Sequence, residues 1–247
     1  MNFFSLYKRN FLYKIKKKIN IDLEIDLKKN SLENLFSYYG TDKANLWGKN
    51  KTKGHGYSKY YEKHLFQLKE KTINLLEIGS FSGSSAASFA KYFPKANIFC
   101  IDINISNFKF YSKRIDVFGM DVSNYKSILN FYKKINLAKE ESFFDIIIDD
   151  GSHKLSDILF TLNNFFQNLN KGGFYIIEDF KFPNYFKHLN DTDEIMIDEL
   201  IEKIENKKDF HSNIISKEVL RSLKNNTKIN CYKGNSGYSD IVFIQKT

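Results

Sequence analysis

From residue 73 onward the chain alternates between short apolar runs and helical stretches, and this alternation narrows its fold more than any other feature. The runs 73–78 (Ile-Asn-Leu-Leu-Glu-Ile), 97–102 (Asn-Ile-Phe-Cys-Ile-Asp), 115–119, 144–149 (Phe-Asp-Ile-Ile-Ile-Asp) and 173–178 (Gly-Phe-Tyr-Ile-Ile-Glu) read as strands. Stretches near 83–93, 123–135 and 154–169 read as helices between them. Strands this apolar are covered on both faces, and strand–helix repetition implies parallel crossovers. The pattern therefore predicts an α/β fold, doubly wound around a mostly parallel sheet. Past residue 190 it predicts a helix over 192–206, a second one, and two closing strands near 228–233 and 240–245.

At 247 residues the chain fits one generous domain, or one domain with a short appendage. Residues 1–38 read as a basic amphipathic arm, and 39–70 as a lid segment that is loop-rich and then helical. Residues 71–247 form the α/β body. The two cysteines, Cys100 and Cys231, exclude a disulfide scaffold and a cysteine zinc site. No run of eighteen apolar residues predicts a transmembrane helix, and lysines interrupt the first twenty residues where a signal peptide would be apolar. A cytoplasmic location is expected.

The formal net charge is +9, but six of the nine charges lie in residues 1–20, which hold Lys8, Arg9, Lys14, Lys16, Lys17 and Lys18 and no acid. The rest of the chain is close to neutral and contains just Arg114 and Arg221 among arginines. That argues against a nucleic-acid partner, whose recognition puts a basic stripe on the folded body. On a helix Phe4, Tyr7, Phe11 and Ile15 share one face, with Arg9, Lys16 and Lys17 away from it. The favoured reading packs that face on the chain's own domain or on a sister subunit in a homo-oligomer. The other rests it on an anionic membrane, which would place the protein at the membrane's inner face.

In an open parallel sheet, ligands bind beyond the carboxyl ends of the strands. The first strand ends in Glu77-Ile-Gly-Ser-Phe-Ser-Gly83, followed by Ser84 and Ser85. The second ends at Asp102, and the third is followed by Gly119-Met-Asp121. The fourth ends in Asp149-Asp-Gly-Ser-His153, and the fifth in Glu178-Asp179. Five consecutive strands thus deliver glycine or acid to one rim.

The first loop narrows the ligand. Gly79-x-x-x-Gly83 with Glu77 before it lacks the closely spaced glycines of a dinucleotide turn and the Gly-Lys-Ser/Thr of a phosphate loop. An acidic, glycine-bent loop without phosphate-binding features suits a cationic, phosphate-free ligand such as S-adenosylmethionine. Glu77, Gly79, Ser80, Gly83 and Ser84 are then candidate cofactor residues. Asp102 would accept the ribose hydroxyls, with Asp121 near the adenine, and Asp149 and Tyr57 complete the candidate cofactor set. The plainer alternative makes Glu77 and Asp102 ordinary strand-end polar residues.

Glu77-Ile-Gly-x-x-x-Gly83 and Asp102 resemble the class I S-adenosylmethionine-dependent methyltransferases over residues 71–247. A narrower resemblance lies in Tyr39-Gly-Thr-Asp-Lys43, His55-Gly-Tyr-Ser-Lys-Tyr-Tyr-Glu62, Phe144-Asp-Ile-Ile-Ile-Asp-Asp-Gly-Ser-His153 and Gly172-Gly-Phe-Tyr-Ile-Ile-Glu-Asp179. These are similar to the macrocin and mycinamicin sugar O-methyltransferases, roughly over residues 39–185; cephalosporin-hydroxylase-type proteins share parts of the pattern. The resemblance implies a Rossmann-like, seven-stranded methyltransferase sheet. It implies a Mg2+ ion held by Asp150, Glu178 and Asp179, with His153 as the general base beside Asp150.

An all-oxygen set at adjacent strand ends suits such a hard cation. Histidine is the side chain that titrates nearest neutrality, as a general base requires. The function expected is an S-adenosylmethionine-dependent, Mg-assisted O-methyltransferase acting on a sugar hydroxyl, nucleotide-linked or in a surface polysaccharide. Alternatives are a catechol-like diol O-methyltransferase and a non-catalytic cofactor-binding partner subunit. Residue by residue, plainer roles exist too: Asp150 and Ser152 capping the next helix, Glu178 and Asp179 as solvated loop acids, His153 as a structural histidine. The segment from Thr41 to Tyr61, with Trp47, reads as a fold over the cofactor rim or as aromatic packing of a lid.

Overall fold

Seven strands form one sheet: β1 (Ile73–Ile78), β2 (Ala96–Asp102), β3 (Ile115–Gly119), β4 (Phe144–Asp149), β5 (Leu169–Glu178), β6 (Thr227–Lys233) and β7 (Asp240–Lys246). Their order across the sheet is β6-β7-β5-β4-β1-β2-β3. β1 pairs with β2, β2 with β3, and β4 with β5, all parallel, while β7 runs antiparallel to both β5 and β6. The helices are α1 (Phe3–Ile15), α2 (Leu32–Tyr39), α3 (Ser58–Leu65), α4 (Ser84–Tyr92), α5 (Tyr125–Lys134), α6 (Leu155–Phe165), α7 (Phe182–Tyr185), α8 (Ile197–Glu205) and α9 (Lys217–Asn225). This computed structural model describes residues 3–24, 31–48, 50–138 and 140–247. Residues 1, 2 and 25–30 of the expected arm and Lys49 of the expected lid lie outside the described residues.

The chain contacts itself as two compact units, residues 1–121 with 234–237, and residues 122–233 with 238–247. α1, α2 and α3 belong to the same unit as β1 to β3.

In the first unit, β1 and β2 bury successive residues on both faces, Leu75, Leu76 and Ile78 beside Ile98, Cys100 and Ile101. Both faces are therefore covered, as a parallel sheet requires. Behind them an aromatic cluster joins three helices: Phe89 of α4 meets Phe36 of α2 and Tyr61 of α3, each with ring centroids 5.4 Å apart. In the second unit, Ile146, Ile147 and Ile148 of β4 and Tyr175, Ile176 and Ile177 of β5 are all buried, and so are Val242 and Phe243 of β7.

Two elements depart from their sequence reading, each for a local reason. β5 begins at Leu169 rather than 173, with a register irregularity where Phe144 pairs with Leu169 and Ile146 with Phe174. Gly172, at φ +83°, lets the backbone bulge there, so residues 169–172 stay within the strand. The expected helix over 192–206 starts at Ile197, after a loop in which Asp191 binds the amide and hydroxyl of Ser156.

Candidate functional site

In the first unit, the turn after β1 is held by its own backbone: Gly79 N–H donates to Ile101 O at 2.8 Å and Gly83 N–H to Ser80 O at 2.7 Å. Gly79 and Gly83 sit at φ +88° and +75°, and a Cβ on Gly83 would stand 2.5 Å from the Phe108 ring, so both backbone conformation and space demand glycine there. Phe81, between them, adopts φ +40° with an exposed ring. A bulky residue with this backbone is an outlier, and no residue pattern announced it.

Glu77, fully buried at the end of β1, accepts a hydrogen bond from the Ser85 hydroxyl. Ser80 and Ser84 are buried, and the Ser84 hydroxyl lies 3.0 Å from that of Ser82. Burial, followed by the negative charges of Glu77, Asp116 and Asp102, pushes the Cys100 thiol well up, which keeps it neutral. Asp102 ends β2 and receives two backbone donors, Phe81 N–H on Oδ2 at 2.8 Å and Asn104 N–H on Oδ1 at 2.5 Å. Each carboxylate oxygen offers about two acceptor positions, so one remains on each, the pattern that accepts a vicinal diol. Asp121 follows the end of β3, half-buried. Tyr57 is wholly buried and stacks on His55, with centroids 5.2 Å apart, so its ring is committed to packing.

In the second unit, the ends of β4 and β5 bring Asp150, His153 and Asp179 together, with one potential ligand atom from each within 4.8 Å of the others. His153 Nε2 is 3.7 Å from Asp150 Oδ1. His153 and Asp179 both have left-handed backbone, at φ +57° and +52°. Such conformations cost about 1–3 kcal/mol each and persist where the surroundings impose them. Glu178, the last residue of β5, is buried and pairs in register with Ile241; it lies outside the 4.8 Å group. Successive strand residues point to opposite faces, so two adjacent acids share a site only if the chain leaves the strand between them.

Asp149, at the end of β4, is buried beside this group and accepts from the Thr161 hydroxyl and from Gly151 N–H. Burial pushes its carboxyl up to about 6, against the opposing pull of Thr161, His153 and the Gly151 amide. Thr161, seven apolar-patterned positions into α6, gave no sequence signal for this contact. The capping alternative for Asp150 is not what is seen. α6 begins at Leu155 behind Lys154, without a side-chain cap, and Ser152 accepts from Lys154 N–H while donating to Asp157.

Aromatic side chains continue outward from His153. Phe182 lies 5.0 Å from the His153 ring, Phe186 is 5.2 Å from Phe182, and Tyr238 is 5.4 Å from Phe186. Tyr185 packs on Tyr238 and donates to Asp240 Oδ2 at 2.8 Å. His188 reaches this row through Phe186.

No protein-family model matches the sequence. Among curated proteins the chain is similar to L-olivosyl-oleandolide 3-O-methyltransferase of Streptomyces antibioticus, 31% identical over 166 residues, which is 63% of this chain and 38% of that protein. It is 28% identical to demethylmacrocin O-methyltransferase of Streptomyces fradiae over 158 residues, 61% of this chain and 36% of that protein. Among solved structures it superposes on the MycE methyltransferase of the mycinamycin pathway, in complex with Mg and SAH, with a TM-score of 0.63 and 22% identity, covering 88% of this chain and 55% of that one. MycE in complex with Mg, SAH and mycinamycin VI gives a TM-score of 0.62 at the same identity and coverage. The fold is that of the class I methyltransferases, and these curated relatives are sugar O-methyltransferases. The chain spans at most 38% of their length.

Proposed function

We propose that the protein is an S-adenosylmethionine-dependent O-methyltransferase that uses Mg2+ and methylates a sugar hydroxyl. The observation that carries this reading is the group Asp150, His153 and Asp179, two of them in left-handed backbone, at the strand ends of a methyltransferase fold. Strain of that kind is stored where function requires it. The names of the similar proteins support the acceptor class: one is an L-olivosyl-oleandolide 3-O-methyltransferase and another a demethylmacrocin O-methyltransferase.

The carboxylates of Asp150 and Asp179 fit a hard divalent cation, and the His153 ring beside them is left to act as the base. Asp150 and Asp179 would hold it, with Glu178 the candidate third carboxylate. When bound, the ion lowers the pKa of a hydroxyl, and the sulfonium supplies the methyl group. His153 accepts the hydroxyl proton as the O–C bond forms and the C–S bond breaks, leaving a neutral thioether. Asp150 stabilises the imidazolium that results. Asp102 binds the ribose diol through its remaining acceptor positions, and Glu77, Gly79, Ser80, Gly83 and Ser84 shape the loop that receives the methionine part. Asp121 and Tyr57 belong to the same candidate donor set, Tyr57 through its packing, and Asp149 is the candidate from the second unit. The aromatic row Phe182, Phe186 and Tyr238 offers apolar faces on which a sugar ring stacks.

The protein would work in the cytoplasm, with residues 1–20 as its contact to another surface. No helix among the described residues is long and apolar enough to cross a membrane.

Methyl transfer from labelled S-adenosylmethionine to a panel of sugar nucleotides and glycosides, with and without EDTA, tests the reading. Sugar-dependent incorporation that is lost on chelation is expected. Transfer unaffected by exhaustive chelation would overturn the metal assignment, and transfer to catechols but to no sugar would overturn the acceptor class.

A further inference from the structure

Helix α1 turns its polar side inward. Asn10 Nδ2 donates to Gly119 O at 3.1 Å, Arg9 Nη1 to Ile103 O at 3.2 Å, and Lys16 Nζ to Ser106 O at 2.8 Å. Tyr13 is the aromatic contact on that side, edge-on to Phe108 at 6.2 Å. Just past the helix, Ile19 N–H binds Lys109 O, which ties the segment down through its backbone. The apolar ridge faces the other way: Phe4, Tyr7, Phe11 and Ile15 are 80%, 67%, 52% and 64% exposed. The sequence reading that packs this ridge on the chain's own domain is therefore not what is seen. At ~100° per residue the four fall within a stripe about 80° wide. Exposed Lys8 and Lys14 flank it on opposite sides, and Lys17 lies beyond its end. Lysines so placed lay their stems along an apolar layer and lift their ammonium groups to its polar edge.

We propose that this face docks on an anionic lipid bilayer. Charge chooses that occupant. Lys8 and Lys14 flank the face, Lys17 lies beyond its end, and residues 1–20 hold no acid, so a second copy presenting the same face would set lysine against lysine with no carboxylate from this segment between them. Anionic headgroups answer that charge, while the ridge enters the boundary between headgroups and acyl chains. The polar side is already anchored, so docking requires no rearrangement of the first unit. This inference does not depend on the proposed methyl transfer.

Cosedimentation of the full chain with vesicles tests it, comparing phosphatidylcholine alone with phosphatidylcholine containing phosphatidylglycerol. Binding to the anionic vesicles alone is expected, weakened by high salt. It should fall about tenfold or more in Phe11→Ser/Ile15→Ser, and likewise in Lys8→Glu/Lys14→Glu. All four side chains are exposed, and an unchanged circular dichroism spectrum separates lost docking from lost folding. Absence of binding to anionic vesicles, or equal binding to neutral ones, would overturn the proposal. So would light scattering that shows a dimer dissolved by Phe11→Ser/Ile15→Ser in a chain that ignores vesicles, since a second copy would then cover the ridge.

Discussion

His153 presents Nε2 to Asp150 Oδ1 at 3.7 Å, three residues apart across the turn that leaves β4. The separation exceeds a good hydrogen bond, so the carboxylate does not fix the ring by direct bonding. Phe182, 5.0 Å away and tilted by 57°, supplies the ring's packing partner. A base held this way takes a proton with its counter-charge already in place.

Replacing His153 by Ala should therefore lower kcat by about 10²–10⁴-fold, the usual contribution of a general base. Affinity for S-adenosylhomocysteine, measured by titration calorimetry, should stay within a factor of about two of the unaltered protein, since His153 has no part in the proposed donor pocket. Retention of most turnover would remove His153 from the reaction.

Asp150→Asn and Asp179→Asn each take a negative oxygen donor from the three-residue group. Magnesium binding followed by calorimetry should weaken at least about tenfold in either variant, because hard cations depend on ligand charge. Glu178→Gln separates the group seen in the structure from the set implied by resemblance. A loss as large as in the Asp variants makes Glu178 a ligand; a smaller one leaves the cation to Asp150 and Asp179.

Gly83 carries a third prediction. Its φ of +75° disfavours any side chain, and a Cβ would meet the buried Phe108 ring at 2.5 Å. Gly83→Ala should destabilise the fold by about 1–3 kcal/mol. At ~2–4 °C per kcal/mol for a chain of this size, the melting temperature should drop visibly. An unchanged melt would mean that the turn relaxes freely.

The parallel strands were legible because their signal is dense: short segments with two to four apolar residues in a row, ended by or followed by an acid or glycine. β1, β3 and β4 fall where the residues place them, and β2 gains one residue, Ala96. The candidate rim was legible for the same reason, since strand ends inherit their address from the strands. What stayed hidden is set by backbone geometry rather than residue type. Nothing in Asp-Gly-Ser-His tells that His153 turns left-handed, nor in Glu-Asp that Asp179 does so while Glu178 stays in register. Periodicity located the apolar stripe of α1, but a stripe alone does not say which way it faces. That depended on side-chain bonds from Asn10, Arg9 and Lys16 to distant carbonyls.

Asp42 supplies the acid limb of the pH dependence. Burial alone would push its carboxyl up, but the His55 ring, 3.6 Å away at Nε2, and the charge of Lys43 outweigh that and hold it down at about 2. The ordinary aspartate value is ~3.9, so between about pH 4 and pH 2 the unfolded chain binds more protons than the folded one. The stability that Asp42 contributes is thus present above pH ~4 and lost as pH falls through about 2. Its side chain is 52% exposed, so solvent screening keeps the contribution small. Asp42→Asn should flatten the acid side of a plot of melting temperature against pH in that window and leave the slope near neutrality unchanged. An acid limb as steep as before would mean that other carboxylates carry it.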